Sequence, residues 1–208
     1  TGNFGDIFAG YIAKRMGLPI HKLVIATNIN NILERCLKTG AYEVFGSKQT
    51  NSPSMDIQIS SNFERLLFDL LDMDSENVYK KMSELRLSGK FELGKSEVET
   101  FKNNFDAGSL NQDETIKVIN DMYIKSNHII DPHTAIGVGI HYKNSYENSI
   151  VLSTAHAAKF PETVEEATGI NPELPILSKD IYQMQENIVN LQNNVGEISL
   201  YITKNFSE

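Results

Sequence analysis

Apolar positions recur along the chain with two different periods, and the switches between them mark out its elements. Over residues 6–17, Ile7, Ala9, Tyr11, Ala13 and Met16 form an imperfect apolar face that Gly17 and Pro19 close off, which predicts a helix. The β-branched run KLVIAT over 22–27 predicts a short buried strand. Asn28 and Asn30 then offer N-caps for a second helix that stops at Gly40. Helix, strand and helix in that order give the rhythm of a doubly wound α/β sheet. A polar stretch, SKQTNSPS over 47–54, reads as a loop.

Beyond the loop, NFERLLFDLLD over 62–72 predicts a helix with Phe63, Leu66, Leu67 and Leu70 on one side. Residues 75–126 read as short helices with a possible strand in GKFEL, more a solvated covering layer than a central sheet. The α/β rhythm returns with DPHTAIGVGIHYK over 131–143, a helix that Pro132 starts behind Asp131 as N-cap. SIVLS over 149–153 reads as a second buried strand, with TAHAAKF directly after it. From 178 to 206 the spacing of Ile181, Met184, Ile188, Leu191, Val195, Ile198 and Ile202 predicts a terminal helical region that Gly196 interrupts.

Composition narrows the function. With 19 Lys+Arg against 27 Asp+Glu the net charge is −8, and no basic cluster with interleaved aromatics occurs, so nucleic-acid binding is not expected. No apolar run approaches the ~18 residues of a membrane span, and nothing resembles a signal peptide, so the expectation is a cytoplasmic protein without membrane contact. The single cysteine, Cys36, sits in a helical pattern and reads as a buried thiol, not a nucleophile.

Three places offer chemistry. In the turn TGNFGD, Gly2 and Gly5 allow a tight backbone whose N–H groups converge on an anion at the start of the next helix. It matches neither the phosphate loop ending in Gly-Lys-Ser/Thr nor the dinucleotide fingerprint, and an ordinary glycine turn ahead of a helix is the alternative. Asp6 would repel a phosphate through its carboxylate, so its part is assigned to the backbone N–H, with the side chain capping the helix. Thr154 stands just after the strand-like run, where α/β sheets bind ligands; it either meets a cofactor ring or caps the next helix. His128, His133 and His156 lack metal-ligand spacing, and no metal is expected.

Taken together, TGNFGDIFAGYIAKRMGLPI, LVIATNINNILERCLKTGAY, SPSMDIQISSNFERLLFDL, DPHTAIGVG and STAHAAKFPETVEEA resemble, in order, the second half of threonine synthase. The resemblance implies an α/β fold, an open twisted sheet flanked by helices, the fold type II of pyridoxal-phosphate enzymes represented by its C-terminal portion. A helical insertion would span about 62–126 and a C-terminal helical region about 178–206. It also implies pyridoxal 5'-phosphate as cofactor, with its phosphate on the amides of Gly2, Asn3, Phe4 and Asp6, while Gly5 shapes the turn. Thr154 would face the pyridine nitrogen, a neutral partner that leaves the ring a weaker electron sink than a carboxylate would.

The reaction implied is conversion of O-phospho-L-homoserine and water to L-threonine and phosphate. Ser54, Asn62, Arg65, His133, Thr134 and Lys159 are the substrate-binding candidates by their places in the family-like motifs. The Schiff-base lysine lies upstream in the family, in a stretch that this sequence lacks. The chain is therefore expected to be a fragment with no catalytic residue of its own, inactive without the N-terminal half. Two rivals stand beside this reading. One is another enzyme of the same fold, such as a threonine dehydratase or a cysteine synthase relative. The other is a non-catalytic pseudoenzyme module that binds a phosphate ligand.

Overall fold

The computed structural model describes residues 1–206, which divide into two units, 1–173 and 174–206. In the first unit, α1 (Gly5–Arg15) leads to β1 (Leu23–Thr27), α2 (Ile32–Thr39) and β2 (Ala41–Glu43). After an irregular stretch come α3 (Phe63–Leu70), α4 (Ser75–Ser88), β3 (Lys90–Glu92), α5 (Lys95–Asn104) and β4 (Phe105–Ser109). The helices α6 (Gln112–Ser126), α7 (Pro132–Asn144) and α8 (Pro161–Thr168) complete it.

Strand β1 organises this unit because alternate residues serve opposite faces. Leu23 and Ile25 join one core with Phe4, Tyr11, Leu33, Phe63 and Phe105. Val24 and Ala26 turn to the other side and pack with Met55, Leu110, Ile136 and Ile140. A strand covered on both faces has no use for polar alternation, which is why Leu23–Ala26 is an unbroken apolar run. A third cluster, Ile119, Ile130, Ala135 and Ala167, joins α6, α7 and α8.

The elements read from periodicity over 6–17, 22–27, 62–72 and 131–143 are all present within two residues at each end. Helix α2 stops where Gly40 takes φ +82°, a conformation a Cβ would strain. Its start differs from expectation: Asn31 is the N-cap, not Asn28 or Asn30. Those two side chains are engaged elsewhere. The amide of Asn28 donates to Thr50, Ser52 and Asp56, and that of Asn30 to Asp56 and the carbonyl of Lys48.

Three further expectations are corrected. The region 75–126 is not only a covering layer, because β4 lies inside it and pairs in parallel with β1, from Leu23 opposite Phe105 to Thr27 opposite Ser109. FDAGS carries an acid, a glycine and a serine, so its strand character comes from the partner and not from its own propensity. The other strand in this region, β3, pairs antiparallel with β2. Residues 149–153 form no strand among the described residues, and Ile150 stays 90% exposed. No neighbouring strand offers them a ladder, and β-branched sequence alone does not make one.

The second unit is not a continuous helical region. Short 3₁₀ turns at Ile176–Ser178 and Ile181–Gln183 precede an irregular stretch, and only α9 (Val195–Phe206) is α-helical. Gly196 lies in the first turn of α9 rather than interrupting a longer helix. No helix among the described residues is long and apolar enough to cross a membrane.

Cys36 sits in the core at 0% exposure, and burial pushes its thiol up to about 12. A thiol reagent at pH 8 is expected to leave native protein unlabelled and to label it stoichiometrically in denaturant. Fast labelling of the folded protein is the contrary result.

Candidate functional site

The glycine turn is held by its aromatic residue. Phe4 is the N-cap of α1 in the left-handed conformation, φ 65° and ψ 6°, and its side chain is fully buried. Its ring meets Phe63 edge-on at 5.4 Å and Phe105 at 5.7 Å. Left-handed backbone costs a non-glycine residue about 1–2 kcal/mol, and burying a Phe side chain returns about 1.5–3 kcal/mol. Packing therefore offsets the strain. With the ring inward, the peptide groups on either side are left facing away from the core.

Residues 60–62 brace the turn from outside. Ser60 Oγ donates to the carbonyl of Gly2 at 2.6 Å, and Ser61 N and Oγ donate to Asn3 Oδ1 at 2.9 and 2.6 Å. Asn62 gives both its backbone N–H, at 3.2 Å, and its side-chain amide, at 3.1 Å, to the carbonyl of Asn3. These bonds use carbonyls and one side chain, never the amides of the turn. Among the described residues, no backbone N–H from Gly2 to Ile7 has a protein acceptor. Asp6 does not cap the helix with its carboxylate as expected, since α1 has no side-chain cap bond. The unpaired donors and the helix dipole together favour an anion here.

Gly2 is needed for contact with the polar loop. A Cβ there would stand 2.7 Å from the carbonyl oxygen of Ser54 and 3.0 Å from Met55 Cα, both backbone atoms that cannot yield easily. The loop is tied to the end of β1 by Asp56, whose carboxylate accepts from Asn28, Asn30, Thr50 N and Thr50 Oγ1. This network escaped the sequence reading. SPSMD and NIN are separated by more than twenty residues, and nothing local signals that they meet.

Ser54 connects onward. Its N–H donates to His133 Nε2 at 3.2 Å, and His133 Nδ1 lies 3.0 Å from Asp131 Oδ1. Thr134 Oγ1 donates to Asp131 Oδ2 and accepts from Thr154 N at 3.3 Å. Ser54, His133, Thr134 and Thr154 are thus brought into one connected cluster, with Gly2 packed against its edge. Both ring nitrogens of His133 are engaged within the chain, and the ring rests 4.6 Å from that of Phe160. Thr154 is exposed, and its hydroxyl has no protein partner among the described residues. His156, not Thr154, caps the following 3₁₀ turn, accepting from Ala158 N at 3.2 Å.

The side chains of two candidates make no hydrogen bond to that cluster among the described residues. Arg65 is exposed in a surface groove with Phe8, Phe68, Tyr79 and Arg86. Lys159 is exposed, its Nζ 6.0 Å from the ring of Phe160. No group of three or more His, Cys, Asp or Glu among the described residues is arranged to hold a metal.

A family model described as threonine synthase, C-terminal, matches residues 134–202. Threonine synthase of Pseudomonas aeruginosa is 38% identical over 98% of this chain, and that of Saccharomyces cerevisiae 44% identical over 80%. The chain spans 44% and 36% of their respective lengths. The crystal structure of PLP-bound threonine synthase from Brucella melitensis superposes with a TM-score of 0.89 at 47% identity, covering 98% of this chain and 44% of that one. Over nearly its whole length the chain is similar to the C-terminal part of threonine synthases, and it has that part of the fold type II architecture.

Two outcomes test the site. Phe4→Ala removes the packing that offsets the strained turn and is expected to lower unfolding free energy by about 3–5 kcal/mol in chemical denaturation. Asp131 supplies the second. Burial pushes its carboxyl up, but hydrogen bonds from His133 and Thr134 outweigh that and hold it below its ordinary 3.8. A depressed carboxyl stabilises the fold above its unfolded pKa and loses that contribution as pH falls through the folded one. The stability gap between the native protein and Asp131→Ala is expected to be full at neutral pH and to narrow below pH 3.8. A gap that widens on acidification contradicts the assignment.

Proposed function

We propose that this chain forms the C-terminal part of a pyridoxal-phosphate-dependent threonine synthase and carries both non-covalent anchors of the cofactor. The observation that carries the reading is the row of amides from Gly2 to Ile7 without protein acceptors, at the positive end of α1. A phosphate dianion needs several converging N–H donors, and such a row suits it. The Thr154 hydroxyl, free of protein partners, suits a pyridine nitrogen because it donates or accepts without bringing a charge. The cofactor, when bound, supplies the electron sink that lets protons leave the substrate's α and β carbons.

The chain's own residues bind and orient. Gly2, Asn3, Phe4 and Asp6 present main-chain donors to the cofactor phosphate, while Gly5 shapes the turn. Thr154 holds the other end of the ring. Ser54, whose hydroxyl has no described partner, and the exposed cations Arg65 and Lys159 are the groups proposed for the phosphate of O-phospho-L-homoserine. Asn62, His133 and Thr134 serve the substrate indirectly, because their polar atoms brace Asn3, Ser54 and Thr154. The lysine that takes the cofactor covalently belongs, in this reading, to the N-terminal half of the full-length protein, and L-threonine and phosphate are the products.

The full-length protein is expected to show the visible absorbance of a lysine-held pyridoxal phosphate and to release phosphate from O-phospho-L-homoserine. Serine, threonine and O-acetylserine should give no comparable turnover. Thr154→Val removes one hydrogen bond and should lower kcat by about tenfold with folding intact. A folded full-length protein that binds no pyridoxal phosphate overturns the reading.

A further inference from the structure

Asp131 is 1% exposed, and its carboxylate accepts from three groups of the first turn of α7 besides the hydroxyl of Thr134. A helix needs only one or two such bonds from its cap. The extra ones go to the side chains of His133 and Thr134, and each of those holds a different loop. His133 Nε2 accepts from Ser54 N, in the loop against which Gly2 packs. Thr134 Oγ1 accepts from Thr154 N, in the turn that follows residues 149–153. Each interaction reaches far along the sequence: Ser54 lies 79 residues from His133, and Thr154 lies 20 from Thr134. One carboxylate thus stands between the loop against which Gly2 packs and the turn that carries Thr154, and so between the two ends of the proposed cofactor site.

We propose that Asp131 is a positioning residue that sets the separation between the amide row at Gly2–Asp6 and the hydroxyl of Thr154. It acts through His133 on the first and through Thr134 on the second. The inference rests on the cofactor reading above for its purpose, but its mechanical content does not. His133 with Nδ1–H directed at Asp131 presents Nε2 as an acceptor, the form that the Ser54 amide requires. Thr134, with its proton directed at Asp131, presents a lone pair to the Thr154 amide. Without the carboxylate both side chains are free to turn, and both amides lose their fixed acceptors.

Amide hydrogen exchange of the full-length protein, free of added ligand, tests the mechanical part. Asp131→Ala should speed exchange by about tenfold in peptides covering both 52–57 and 150–157. Thr134→Val should do so only in the second, and Thr134→Ser should restore it. The same variants titrated with pyridoxal phosphate read the purpose. Thr134→Val should weaken binding by about tenfold and shift the bound cofactor's absorbance or fluorescence, while Thr134→Ser stays near the unmodified protein. Thr134→Val and its serine rescue decide the matter even where Asp131→Ala does not fold. Unchanged exchange in 150–157 for Thr134→Val, or cofactor affinity and spectrum equal to the unmodified protein's, overturns the proposal. Failure of the unmodified protein to bind the cofactor instead overturns the threonine synthase reading, and the exchange results still decide whether the carboxylate holds both loops.

Discussion

The N-terminal turn of the first unit depends on the inward burial of Phe4. A turn that points its amides at solvent has no internal hydrogen bonds to hold it, so its conformation must be fixed by something else. Here the fixing is done by a ring wedged between Phe63 and Phe105, in the same core that receives Ile25 of β1. The left-handed backbone at Phe4 is strained, yet it is what allows side chain and main chain to point in opposite directions. Helix α3 through Phe63 and strand β4 through Phe105 form the walls against which the ring packs. The exposure of the turn's amides is therefore a property of the core as much as of the glycines.

The second constraint is the end of β1. Open α/β sheets place ligands beyond the carboxyl ends of their strands, and the chain assembles three segments at that point. Thr1 N donates to the carbonyl of Ala26 at 2.5 Å, and the Asn28, Asn30 and Asp56 network fastens the polar loop just past Thr27. The first turn of α7 supplies the remaining side. Polar side chains are buried here in an otherwise apolar interior: Asn28, Asn30, Ser52, Asp131 and Thr134 are all inaccessible. Such groups are costly to bury unless they bond to one another, and their mutual satisfaction gives the loops a single arrangement.

Elements whose sequence matched their surroundings were legible in advance. LVIA was legible because a strand covered twice is apolar on both faces, FERLLFDL because one side of α3 faces the core, and Asp131-Pro132 because a helix start has its own local chemistry. What was not legible depended on partners distant in sequence. FDAGS becomes a strand because β1 lies alongside it, while the far more strand-like SIVLS has no ladder to join. The same limit applied to the site. Gly2 stood out as a residue type, but Ser60 and Ser61, which brace its turn, and Asp56, which ties down the loop packed against it, carry no local signal. Asp131 was visible as a helix cap, and its second task shows only when Ser54 and Thr154 arrive beside its neighbours.

Ile150 at 90% exposure and Leu152 at 58% leave a short, uncharged, β-branched segment open to water. In the second unit Leu177 is 100% exposed, with Ile176, Ile188 and Leu200 also largely uncovered. Segments of this kind are sticky, since they gain both ladder bonds and dehydration by stacking on their own copies. The charge of −8 opposes that through mutual repulsion, and salt weakens the repulsion. For polypeptide in this form, colloidal behaviour in concentrated or saline solution is set by the contest between those few bare side chains and the surrounding carboxylates.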